Sequence, residues 1–512
     1  MTLRRTALLL AISVAVAQEL PRPDRMGVVN SGPYDYGVMG PPATPAIVAA
    51  AGKAVDKRLP PGPFQPTWES IEKNYRPPSW FDGAGFGIFI HWGIFAVPAH
   101  HNEWYEKHMY GAEAQWHTAH FGPPEQFGYK DFIPKFTAAK FDAAAWAALF
   151  KNAGARIVIG MGEHHDNFAE WNSDVTPFNS VKMGPHRDLI GELSAAVHRQ
   201  GLKFGIANHG VENFTFVNPP ADLRDRLKTA HADLYDPAWA AFYNVADRSD
   251  AAMTRFLTDW VNRNLELIDK YQPDLLWWDN GANLRLLDPL KLFIAAYYYN
   301  RARQWNREVS LATKYVAMAP GNDDRHLIGS ILDFEKVGTR SPAAIRPGQW
   351  MVDDPIGSNS WGFVEDLHLV SPASIIAKLV DTASKGGVFF LNVSPMADGA
   401  IPEAQQQILR KVGTWLQTNG EAIYGARPYS KFTDGAIHFT AKGGNVFAIF
   451  ANWPSEGALK LAISTPISGA TLLGSSEPLK VTQDVNGAEI RLPAKPQGDG
   501  PWSVKLTSPV DR

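Results

Sequence analysis

A chain of 512 residues exceeds one ordinary domain, and its length suggests two or three; 45% apolar against 20% charged residues supplies ample core. The net charge of -3 excludes a strongly basic nucleic-acid footprint, and zero cysteine excludes disulfides and thiolate chemistry. Seventeen tryptophans suit clefts that hold sugars on flat aromatic faces, although such residues also dominate ordinary core burial.

Arg4 and Arg5 precede an apolar run from Ala7 to Val16, and Ala15-Val16-Ala17 fits a small-x-small cleavage site before Gln18. This pattern predicts a signal peptide over 1–17 and an exported product, periplasmic or extracellular. The run is too short to span a bilayer, and no later segment approaches that length. Residues 18–66, rich in Pro, Gly and Ala, read as a linker or an arm draped on the neighbouring domain. Over 67–427 strand-like runs alternate with amphipathic helices, the pattern of βαβ units around a parallel sheet. Strands are expected at 85–91, 156–160, 202–207, 274–279, 309–313, 331–335 and 388–393, with a weaker one around Trp350. Helices are expected at 141–155, 187–200, 251–270, 289–306, 372–385 and 405–419. Seven or eight strands favour a closed, TIM-like (β/α) barrel over an open sheet, and no Gly-x-Gly-x-x-Gly follows the first strand to suggest a dinucleotide. Over 428–512 short alternating runs flank Lys442-Gly443-Gly444-Asn445, a hairpin signal, and predict an antiparallel β-sandwich packed on the barrel.

Polar residues gather at the C-terminal ends of the barrel strands: His91, His164 and His165, Asn208 and His209, Asp279, and Glu335. In a (β/α) barrel that face is where several strands build an active site. Asp279 shares a strand face with Leu275 and Trp277, where a carboxylate is expensive unless paired or at work. Glu335 is the second carboxylate to pair with it for glycoside hydrolysis, and Asp333 on the same strand face competes for that role. A salt bridge from Glu335 to Lys336 or Arg340 is the purely structural alternative. No metal is expected: His164 and His165 are adjacent, adjacent strand residues point apart, and the pair lacks the spacing of zinc ligands. Neutral imidazoles exchanging hydrogen bonds with sugar hydroxyls are the better use of them.

Several longer motifs stand in order along the chain. They are Phe86-Gly87-Ile88-Phe89-Ile90-His91-Trp92-Gly93, Glu103-Trp104-Tyr105, His164-His165-Asp166-x-Phe168 and Leu276-Trp277-Trp278-Asp279, then Leu391-Asn392-Val393-x-Pro395. Together with Asn419-Gly420-Glu421-Ala422-Ile423-Tyr424-Gly425 they resemble glycoside hydrolase family 29, the α-L-fucosidases, over about 80–428. The resemblance implies that Asp279 is the nucleophile and Glu335 the acid/base. It implies that His91, Glu103, Trp104, His164 and His165 hold fucose hydroxyls. His209 joins the substrate-binding set from its strand end, and Trp92, Trp361 or Phe334 would face the fucose methyl. The chain departs from the family pattern at three places. Glu163 stands where many members have Lys, Asn208 to Asn213 replace Tyr-Ser-x-x-Glu-Trp, and Thr313-Lys314 replace Asn-Asp-Arg.

The expected function is therefore a retaining exo-α-L-fucosidase acting on fucosylated oligosaccharides or glycoconjugates, with no cofactor. An α-L-galactosidase of the same fold is the nearest alternative, because a methyl pocket rejects an added hydroxyl by only about 10²-fold. A non-catalytic fucose-binding protein and a metal-dependent hydrolase are the alternatives of other classes.

Overall fold

The computed structural model describes residues 43–496 and 500–508; the expected leader and the first part of the arm lie outside them. Eight parallel strands close into a barrel in sequence order: β1 Phe86–Ile90, β2 Ile157–Glu163, β3 Lys203–Asn208, β4 Leu275–Trp278, β5 Ser310–Lys314, β6 Ser330–Glu335, β7 Trp350–Pro355 and β8 Val388–Val393. β8 closes on β1 with Ile90 opposite Val393. The weak run at Trp350 is thus a full strand, buried along its whole length.

Alternation sorts each strand into an inner and an outer face. Phe89, Ile159, Ala207, Trp277, Ala312, Ile331, Met351 and Phe390 fill the barrel interior as one cluster. Outer-face residues such as Trp278, Leu332 and Val352 join the larger core beneath the helices. The indole of Trp278 donates to Asn264 on the long helix Asp250–Tyr271. Helices start where short polar side chains accept orphan amides: Asp142, Asp188, Ser249 and Ser371 each cap the helix next to them.

Two connections depart from a regular (β/α) barrel, because among the described residues no helix follows β5 or β6. The helix Trp68–Asn74 packs on the helix Asp288–Trp305 instead, with Ile71 buried beside Gly329. Tyr75 just beyond it meets the hydroxyl of Ser310 at 2.7 Å. Part of the Pro/Gly-rich arm is also helical: Thr44 caps Pro45–Ala54, which buries Ile47, Val48 and Ala51.

The C-terminal strands form two antiparallel sheets. One runs β13 Gly469–Leu472, β16 Trp502–Thr507, β11 Asn445–Phe450, β10 Ile437–Lys442 and β9 Arg427–Asp434. The other runs β12 Ala458–Leu461, β15 Gly487–Arg491 and β14 Val481–Asp484. Leu459, Leu461 and Ile490 meet Phe439, Ala448 and Val504 in a core of their own. No helix among the described residues is long and apolar enough to cross a membrane.

Candidate active site

Where the apolar barrel interior ends, the next inward position on most strands is polar. His91, Asp279, Lys314, Asp353 and Asn392 follow Phe89, Trp277, Ala312, Met351 and Phe390 by two residues, and Asp333 and Glu335 continue the same face of β6. The histidine pair gets there differently. β2 carries a register shift against β3 between Met161 and Glu163, and a bulge of this kind re-aims the side chains after it. Glu163 pairs with Arg263 on an outer helix at 2.7 Å and accepts from Asn208. His164 and His165 lie past the strand end, so the expectation that they point apart does not hold. Their rings are 4.3 Å apart, and both approach His209, at 4.7 and 5.1 Å.

Asp279 is 5% exposed and held from several sides. The ammonium of Lys314 lies 3.1 Å from one oxygen, and the Nε2 atoms of His165 and His209 lie 3.7 Å from the other. Burial alone would raise its pKa, but Lys314, followed by His209 and His165, holds it below the ordinary carboxylate range. Lys314 is also buried, and the charges of Asp279, Glu335 and Asp353 overcome that burial to raise its pKa well above the usual value. Asp279 is therefore an anion and Lys314 a cation at neutral pH. Burial lowers His91 to about 4 and His165 to about 3, and takes His164 and His209 well below the usual imidazole value, so all four are neutral.

The two rival carboxylates of β6 are separated by their surroundings. Glu335 is 3.6 Å from Lys314 and 3.2 Å from Arg340, with its side chain 19% exposed at the mouth. Asp333 is buried deeper and accepts the indole N–H of Trp277 at 2.6 Å. Burial and the neighbouring Asp353 raise its pKa well above the ordinary range. The Arg340 salt bridge anticipated as a structural alternative exists, but it shares Glu335 with Lys314.

The remaining expected residues divide. Trp361, in the loop after β7, lies 5.2 Å ring to ring from His91. Glu103 accepts from the Trp361 amide at 2.9 Å and the Ser360 hydroxyl at 3.1 Å, and Asn392 donates to the Trp361 carbonyl at 2.7 Å. Glu103 thus anchors the loop that carries Trp361. Trp104 stands edge-on to His165 at 5.8 Å. Trp92 is a correction: its ring packs among Phe136, Phe141 and Trp146, and its N–H donates to Met396, because it alternates to the outer face next to inward His91. Phe334 likewise turns outward, onto Trp350 and Arg346. Of the three methyl-contact candidates only Trp361 joins the cluster.

Lys314 and Glu212 were not anticipated as site residues. The Ala312-x-Lys314 alternation at the end of β5 carried the signal for Lys314. Glu212 had no such signal, since it sits in a short 3-10 turn after β3. It is buried, accepts the Gly281 amide at 2.5 Å, and lies 3.5 Å from Nδ1 of His165. Burial, then the charge of Asp279, raises its pKa well above the ordinary range.

Carboxylates joined through one ammonium, with neutral imidazoles and a tryptophan face around them, define the mouth of a glycoside hydrolase. The α-L-fucosidase family model matches residues 52–421, and the α-L-fucosidase C-terminal domain model matches 431–507. The chain is 32% identical over 501 residues to tissue α-L-fucosidase of Homo sapiens, covering 92% of this chain and 98% of that one. It is 32% identical over 489 residues to the Rattus norvegicus tissue enzyme, covering 90% and 96%. A crystal structure of Thermotoga maritima α-fucosidase in complex with fucose superposes with a TM-score of 0.68 at 30% identity, covering 87% of this chain and 100% of that one. The chain belongs to the α-L-fucosidase family, and its activity is that of an α-L-fucosidase.

Proposed function

We propose that the protein is a retaining exo-α-L-fucosidase that releases L-fucose from fucosylated glycans by double displacement. The observation that carries this is the Lys314 bridge. One ammonium lies 3.1 Å from Asp279 and 3.6 Å from Glu335, so the two carboxylates can be no farther apart than those legs allow. That bound reaches only the lower edge of the spacing inverting enzymes need for a water, about 6.5–9.5 Å, and accommodates the roughly 5–5.5 Å of retaining ones.

Asp279, kept anionic, attacks the anomeric carbon and forms a β-linked fucosyl ester, while Glu335 protonates the departing oxygen. Glu335 then takes a proton from water, which attacks the ester and restores the α configuration. His91, His164, His165 and His209 exchange hydrogen bonds with the sugar hydroxyls, and Trp361 receives the C6 methyl. Trp104 closes the pocket beside His165. The basic, apolar and small-residue pattern of residues 1–17 supports export of the enzyme.

Asp279→Asn keeps the size of the side chain and removes the anion. Turnover of an aryl α-L-fucoside should fall by several decades with the fold intact; a variant retaining more than about a tenth of activity would falsify the assignment. Loss of Glu335 should act on leaving groups. Glu335→Ala should cripple natural glycans while an activated aryl fucoside still forms the ester, which azide then traps as the α-fucosyl azide. Asp279→Gly with azide should give the β-azide by direct displacement. An α-azide from Asp333→Ala, with Glu335→Ala unresponsive, would exchange the two roles.

A further inference from the structure

We propose that His91, His164 and His209 form a three-imidazole site for a divalent transition-metal ion of the zinc and copper class, whose binding shuts the sugar out and inhibits the enzyme reversibly. The inhibitory part rests on the sugar occupying this pocket; the binding part stands alone.

Each of the three side chains is buried and offers one ring nitrogen, and all three nitrogens lie within 4.8 Å of one another. Their ring centroids are 4.7, 5.6 and 5.7 Å apart, on three different strand ends. Zinc–nitrogen bonds of about 2.0–2.1 Å place tetrahedral ligands roughly 3.3 Å apart, so small ring rotations close the set on an ion.

The tautomer of His91 is fixed by its neighbour. Asn392 donates its Nδ2 to the Trp361 carbonyl, which leaves Oδ1 as the acceptor facing Nδ1 of His91 at 2.7 Å. His91 therefore carries its proton on Nδ1 and its lone pair on Nε2. The Asn392 oxygen thus stands where a carboxylate, backbone carbonyl or water orients a metal-bound histidine. Nδ1 of His209 is buried without a hydrogen-bond partner.

Three imidazoles select zinc, copper or nickel over magnesium and calcium, and they leave a fourth position for water. A second grouping, His165, Glu212 and Asp279, also brings ligand atoms within 4.8 Å. Glu212 there is committed to the Gly281 amide and would have to lose a proton that its surroundings favour, so it is the poorer site. An ion on the first set occupies the lone pairs that would accept sugar hydroxyls, and therefore competes with fucose.

The test uses the full-length, tag-free protein stripped with EDTA. Isothermal titration with Zn²⁺ should show one saturable site per chain, and L-fucose should weaken it competitively in the wild-type protein. His209→Phe, matched in thermal denaturation to the wild type, should lose at least about tenfold in zinc affinity; Mg²⁺ should not bind. The stripped enzyme should hydrolyse an aryl fucoside fully, zinc should inhibit it, and EDTA should reverse the inhibition. Zinc binding that is absent overturns the proposal, as does binding indifferent to both fucose and His209→Phe, which would move the metal elsewhere, for instance to the His100–Glu113 pair. A stripped enzyme that is inactive until zinc is added overturns the inhibitory role and the metal-free mechanism together. Zinc binding as expected in a protein that never cleaves fucosides leaves the site standing and sinks the hydrolase reading alone.

Discussion

Lys314 supplies the charge that lets two carboxylates share a buried mouth. It is the largest influence lowering the Asp279 pKa against burial. Lys314→Gln should move the acid limb of the kcat/KM profile to higher pH, because Asp279 then holds its proton longer. Removing such a preorganised partner typically costs about 10²–10³ in rate. An unmoved acid limb would remove Lys314 from the mechanism. Asp353 adds a second titration. Burial pushes it up to about 7, with Lys314 opposing and Glu335 adding to the rise. As pH rises through that value it gains a charge that competes for Lys314, so the profile should carry an inflection near neutrality that Asp353→Asn abolishes. Superimposable profiles of the two proteins would refute this.

At the scale of elements, the ends of the barrel are stabilised differently. At the N-terminal end, Asp274 accepts from the Phe204 amide, Lys203, Arg307 and His198, tying β3 and the start of β4 to the helix Leu189–Arg199 and to the turn before β5. Burial would raise its pKa, but the His198 hydrogen bond, the Phe204 amide, Arg307 and Lys203 hold it below the usual carboxylate range. A carboxylate with a depressed folded-state pKa adds stability at pH values above its unfolded pKa of about 4, and that stability is lost as pH falls through the folded value. Asp274→Asn should cost about 1.5–3 kcal/mol in urea melts at pH 7, the range of hydrogen bonds to a charged group, and the deficit should shrink in acid. A deficit unchanged from pH 7 to the acid end would show that packing, not charge, is at stake. The catalytic end shows the opposite arrangement. Asp333, Asp353 and His209 each keep a buried atom without a hydrogen-bond partner, as a ligand-binding mouth requires.

At the scale of the molecule, the two domains share a core. Along β11, Val446, Ala448 and Phe450 face the sandwich interior, while Phe447 and Ile449 belong to the barrel's main core. Trp415 on the last barrel helix donates its indole N–H to the Pro501 carbonyl at 2.6 Å. Barrel and sandwich should therefore melt together. A calorimetric scan should show one endotherm, and Ile449→Ala should lower it as a unit, at about 2–5 kcal/mol for a buried Ile→Ala change. Two separate endotherms, with only the smaller moved by the substitution, would contradict the shared core.

The sequence by itself determined the strand order, the helices between strands and the strand that leads to Asp279, because period-2 and period-3.6 patterns are local and survive without neighbours. The inward set at 277–279 and 333–335 was readable for the same reason, and the same alternation could have placed Lys314 inward and Trp92 outward. Tertiary structure alone decided the rest. A one-residue bulge re-aimed the end of β2, and the strand stops at Glu163, so alternation no longer governs His164 and His165 and both reach the mouth. A turn residue, Glu212, became a site residue only because the chain after β3 packs against the turn that follows Asp279. The choice between Glu335 and Asp333 depends on depth in a closed barrel, where the Trp277 indole occupies one carboxylate and Lys314 meets the other. Depth of this kind is a property of the closed sheet, and no single strand carries it.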